Sequence, residues 1–180
     1  NIEVAQFIYL LLNNEKIRDV LGTIAKKGVL ILGRFTPERK KILDAMRDKL
    51  RKLDFLPMMF DFEKVSSKDF TETIKILAGM SRFVIVDISN PKSSPLELQA
   101  ALPDYKIPFV PIIEDGQRPF AMFKDLTIYP WCLDLRKYKS EESLMKAFQK
   151  SIIDRALEKE KDILVMKNRD QSNIKDIEED

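Results

Sequence analysis

The sequence predicts an α/β domain on a parallel five-stranded sheet, and three observations carry that reading. The apolar runs Val29 to Leu32, Phe83 to Val86 and Phe109 to Ile113 are continuous, not alternating. Such runs suit strands buried on both faces. Segments with apolar residues at helical spacing separate them. Glycine and proline mark the junctions: Gly28 and Gly33 bound the first run, and Pro37, Pro95 and Pro103 mark helix starts and stops. Strands alternating with helices imply helices on both faces of one sheet. The simplest five-stranded version has the order 2-1-3-4-5, a flavodoxin-like three-layer sandwich, here with an extra N-terminal helix.

Residues Ile2 to about Ala25 read as that helix, through Val4, Ala5, Ile8, Leu11, Leu12, Ile17, Val20, Leu21 and Ile24. The run Phe7 to Leu12 is apolar nearly all round. One reading packs this helix on the domain; the other makes it a connector or dimer helix. After the first strand, Thr36 caps a helix with Pro37 at its first position. Ile42, Leu43, Met46, Leu50 and Leu53 line its inner side. The second strand, Leu56 to Phe60, ends on Asp61, and Pro57 suits an edge position.

A polar loop, Glu63 to Lys68, leads to a helix from about Asp69 to Met80. The third strand ends on Asp87. A polar loop, Ile88 to Ser93, and a short helix, Pro95 to Leu102, follow it. The fourth strand is followed by the turn Glu114-Asp115-Gly116 and a short helix, Pro119 to Leu126. Trp131 to Leu133 is expected as the fifth strand, at the other edge. The last helix starts at Ser140-Glu141-Glu142-Ser143 and runs to about Lys161. The organisation reads as a connector helix over 1–27, the α/β domain over 28–161 and a charged, flexible tail over 162–180.

Composition narrows the chemistry. A hydrophobic fraction of 44% is enough for a real core. The 31 basic and 29 acidic residues nearly balance, which leaves no nucleic-acid footprint. The absence of histidine excludes Ser-His-Asp and Cys-His triads and histidine-ligated metals. Cys132 is the sole cysteine, so a disulfide framework and a structural zinc site are excluded too. A lone thiol suits a reducing, cytoplasmic setting. The Phe7 to Leu12 run is too short to span a bilayer. The chain begins at Asn1, not methionine, and reads as a piece of a longer protein. No metal or resident cofactor is expected.

In an open α/β sheet, ligands bind at the carboxyl ends of the strands. The candidate site residues are therefore Arg34 and Phe35 after the first strand, Asp61 and Asp87 at strand ends, and Ser94 and Glu97 at the next helix start. Arg34 would hold a phosphate and Phe35 would stack a base. Asp61, with Glu63 just beyond it, and Asp87 would orient ribose hydroxyls or hold a magnesium ion. Each also has a structural reading. Ser94-x-x-Glu97 with Pro95 between them is a capping box. Strand-end acids commonly cap turns, and a loop aromatic can plug the sheet end.

The stretches VLILGRFTPERKKIL, FLPMMFDFE, FTETIKILAGMSRFVIVDISN and SSPLELQAAL resemble a bacterial TIR-like (Toll/interleukin-1 receptor-like) domain. More narrowly, they resemble the variant found downstream of pentapeptide repeats, where a segment like NIEVAQFIYLLLNNEKIRDV bridges repeats and domain. The resemblance spans roughly residues 2 to 150 and implies the same five-stranded sheet. It also implies a signalling or scaffold module in a bacterial defence or stress pathway, acting by self-association or partner binding. In catalytic TIR domains a glutamate after the third strand cleaves NAD, and Glu97 occupies the matching place. Nucleoside 2-deoxyribosyltransferases share that layout, and Asp87 with Glu97 fits it. The first strand lacks the aromatic-acidic start of TIR domains, and no serine-x-tryptophan run precedes Glu97. The alternative reading is therefore an NAD glycohydrolase or nucleotide N-glycosidase using Glu97. A lone carboxylate can support such chemistry, because it stabilises or attacks the cationic sugar as the C–N bond breaks.

Overall fold

The computed structural model describes residues 15–61, 74–89, 106–121 and 123–172. Helix α1 (Glu15–Lys27) runs directly into strand β1 (Gly28–Gly33). The junction has no room for a side chain. A Cβ on Gly28 would lie 2.6 Å from the carbonyl oxygen of Met80 and 2.7 Å from that of Ile24. Glycine lets the three segments meet there. Helix α2 (Pro37–Lys52) starts as its sequence requires: the Thr36 side chain accepts from the Arg39 N–H, and Pro37 takes the first position.

Strand β2 (Leu56–Asp61) follows, and residues 74–79 form helix α3. Then come β3 (Phe83–Asp87), β4 (Phe109–Glu114), α4 (Phe123–Leu126) and β5 (Arg136–Tyr138). The last described elements are α5 (Glu141–Phe148), a π-helical turn (Gln149–Asp154) and α6 (Arg155–Ser172).

The sheet is parallel throughout, in the order β2-β1-β3-β4-β5. The three central strands, β1, β3 and β4, are buried on both faces, so their alternate residues feed two separate cores. Val29, Ile31, Phe83, Ile85, Val110 and Ile112 pack against α2, α5, the π turn and α6. Leu30, Leu32, Val84, Val86, Phe109 and Ile113 pack against α3 and α4. This is the three-layer sandwich that the continuous apolar runs predict.

Three expectations need correction. Trp131 to Leu133 is not the fifth strand; it makes only an isolated bridge, Cys132 to Phe109. The edge ladder instead forms at Arg136–Tyr138, against Ile112–Glu114. Tyr138 is the one residue of that strand that is buried, so the apolar signal was too thin to mark it. The last helix does not stop near Lys161 but runs through Ser172. Ile163 is buried there, and Glu160 makes a bidentate pair with Arg82 at 2.7–3.0 Å. The short helix expected over Pro119 to Leu126 covers only Phe123–Leu126 among the described residues. Phe7 to Leu12 and the Pro95 to Leu102 helix lie outside the described residues. Among the described residues, no helix is long and apolar enough to cross a membrane.

A buried polar cluster at the carboxyl edge

The carboxyl ends of β3, β4 and β5 bring Asp87, Glu114 and Tyr138 together, and the first turn of α2 lays Arg39 across them. Arg39 shares the helix stripe of Ile42, Leu43, Met46 and Leu50, and like them it is buried. Its Nη1 donates to Tyr138 Oη at 2.6 Å and lies 3.5 Å from Asp87 Oδ2. Its Nη2 pairs with Glu114 Oε2. Tyr138 in turn donates to Asp87 Oδ2 at 3.2 Å.

The other Asp87 oxygen is satisfied by the chain just beyond it. Oδ1 accepts the Ser89 N–H at 3.0 Å and the Ser89 hydroxyl at 2.5 Å. Ser89 Oγ then accepts the Glu114 N–H at 2.8 Å. An aspartate that bonds the backbone two residues on forms an Asx turn. That turn fixes the direction in which the chain leaves β3.

Burial and electrostatics agree with a closed cluster. The Asp87 side chain is 2% exposed and that of Arg39 9%, whereas Glu114 is 31% exposed and forms the wet end. Burial works against the Arg39 charge, but Tyr138, Asp87 and Glu114 outweigh it and hold the guanidinium more firmly protonated than usual. Burial, and after it the Asp87 charge, pushes the Tyr138 hydroxyl above the ordinary phenol range. Two carboxylates thus share one cation, with every buried partner hydrogen-bonded, as a buried charge requires.

The sequence candidates divide around this cluster. Asp87 belongs to it and is too enclosed to meet a ribose. Asp61 sits at the end of β2 and accepts the Phe35 N–H at 3.2 Å, tying the β1–α2 loop to the sheet. Phe35 packs partly buried against the α2-side core, not in an open stacking position. Arg34, at the same sheet end, is half-buried. Ser94 and Glu97 lie outside the described residues. Arg39, Glu114 and Tyr138 were missed by sequence reasoning. Arg39 had a signal, a charged residue on an otherwise apolar helix stripe. Burial, and after it the Asp134 charge, pushes the half-buried Cys132 thiol up to about 11, which disfavours the thiolate a nucleophile needs. Among the described residues no group of three or more acidic or cysteine side chains is placed to hold a metal ion.

No protein-family model matches the sequence, and no curated protein matches it significantly. The fold is shared with a solved enzyme. The CMP N-glycosidase BcmB of Clostridium botulinum superposes with a TM-score of 0.52 at 12% identity. The match covers 67% of this chain and 97% of the glycosidase. At that identity the likeness is one of fold.

Proposed function

We propose that this domain is a nucleotide N-glycosidase that binds its substrate at the carboxyl edge of the sheet. The likeness to nearly the whole length of a CMP N-glycosidase supports this reading most directly. The position of Glu97, after a third strand ending on Asp87, agrees with it. In this reading Glu97 attacks the anomeric carbon, or stabilises the oxocarbenium-like transition state, as the C–N bond breaks. Water then takes the sugar, and its proton is released to solvent. NAD is the leading substrate, because nicotinamide leaves neutral and needs no general acid, which suits a histidine-free chain.

The test is release of free base from NAD, CMP and related nucleotides, followed by chromatography with the protein both dilute and artificially clustered. Turnover is expected for at least one nucleotide. Glu97→Gln is expected to lower it by at least ~10²-fold, since the lost charge supports the transition state. Gln remains acceptable in a capping box, so stability should fall by less than about 1 kcal/mol. No base release from any nucleotide, or equal release from Glu97→Gln, would sink the proposal.

A second reading is a TIR-like signalling or scaffold module, following pentapeptide repeats in a longer cytoplasmic protein and acting by self-association. The closure of the polar cluster favours it. Arg39, Asp87, Ser89 and Tyr138 are spent on one another, as in a site that holds shape and does not bind ligand.

A further inference from the structure

Strand β5 ends the sheet, and no further strand covers it among the described residues. Its hydrogen bonds show which groups are turned outward. Tyr138 O accepts the Asp115 N–H at 2.8 Å, so Tyr138 faces β4. In a strand, the N–H and C=O of successive residues alternate between the two edges. Arg136 therefore also faces β4, and Lys137 turns its N–H and C=O to the open edge.

Beside that edge lies a cleft of about 300 Å³ between β5 and the α5–π-turn helix. Ile112, Leu144 and Ile152 form an apolar floor, and Arg136, Lys137 and Lys139 line the strand side. Among the described residues no carboxylate lines it. Ser151 and Ile152 reach the cleft from the π-helical turn, an irregularity that often accompanies function. Lysines on an edge strand also discourage pairing between sheets. Here they border a groove with an apolar floor, and the edge backbone is open beside it.

We propose that this groove docks an extended, acidic peptide segment of a partner protein, which adds to β5 as a sixth strand. Backbone hydrogen bonds to Lys137 hold the segment in register. Alternate apolar side chains enter the groove over Ile112, Leu144 and Ile152. The remaining acidic side chains turn to the opposite face of the sheet, beside Lys137. A basic partner segment is repelled.

The probe is a fluorescein-labelled octapeptide of alternating valine and glutamate, titrated into the whole chain and read by anisotropy. Saturable binding is expected, and replacing the glutamates by lysine should abolish it. Two further peptides carry N-methyl groups on one or the other alternate set of amides. Strand addition expects one set to bind at least ~10-fold more weakly, the equivalent of one to two hydrogen bonds, and the other to bind normally. Lys137→Pro removes the outward N–H while sparing the bonds to β4, and should weaken binding similarly. No saturable binding would overturn the proposal and leave the lysines as guards of the edge. Equal binding of both N-methylated peptides, with displacement by inorganic phosphate at matched ionic strength, would overturn it in favour of a small-anion site.

Discussion

Replacing Arg39 by methionine tests the closed cluster directly. Methionine keeps the length of the buried stem and removes only the guanidinium. The Asp87 carboxylate, with its side chain 2% exposed, then keeps Ser89 and Tyr138 as donors but has no cation. Breaking a buried pair in this way costs about 3–5 kcal/mol. The three surviving donors place the expectation at the lower end, about 3 kcal/mol. Against a typical total of about 5–15 kcal/mol, that is a large share. The assay is urea unfolding followed by circular dichroism, with the slope unchanged between variants. Asp87→Asn supplies the second arm of a double-mutant cycle. With the charge gone from both sides, the double variant should recover about 1–3 kcal/mol relative to the sum of the singles. A loss below about 1 kcal/mol, or strictly additive singles, would show that Arg39 is not confined by Asp87.

Gly28→Ala should cost about 1–3 kcal/mol, because the new methyl meets two backbone carbonyls that cannot swing away as a side chain would. A neutral result in the same unfolding assay would mean that α1 and the end of α3 shift freely around β1. Tyr138→Phe should change the alkaline limb of stability. The folded hydroxyl holds its proton above the pH at which the unfolded one, near 10, releases it, so folding loses stability as pH rises past about 10. The wild type should therefore fall by up to about 1.4 kcal/mol per pH unit more steeply than the Phe variant in that range. Parallel curves for the two would refute the buried-phenol reading.

Much of this fold was legible because its three central strands are buried on both faces. A run such as Val29 to Leu32 or Phe83 to Val86 has no polar alternative, so its length and bounds fix a strand. The strand order followed from parallel pairing and short crossovers. The edge was harder to read. Arg136-Lys137-Tyr138 has a single buried side chain, while Trp131 and Cys132 nearby look more apolar and touch the sheet only in passing. The π turn left no trace, because one extra residue inside a helix barely disturbs the stripe of Leu144, Phe148 and Ile152. Asp87 was visible as a strand-end acid, but apart from the adjacent Ser89 its partners, Arg39 and Tyr138, come from two distant places in the chain. Only the charge at Arg39 on an apolar stripe hinted that something buried must answer it.

That answer divides the carboxyl edge into two parts. Over β3, β4 and β5 it is closed: an anionic ligand reaching Arg39 would have to displace Asp87 or Glu114, and it would strand a carboxylate in doing so. Over β1 and β2 the edge is built differently. There Asp61 holds the Phe35 backbone, and α2 begins with its N–H groups turned to the same end. A helix start favours negative charge. The two readings of the domain therefore make different demands on the same edge. A glycosidase needs the β1–β2 side to carry the phosphates while the closed side only holds the β3 exit steady. A scaffold needs the closed side alone. Arg39 and Asp87 serve both, so their loss should cost stability in either case, and only the chemistry at Glu97 separates them.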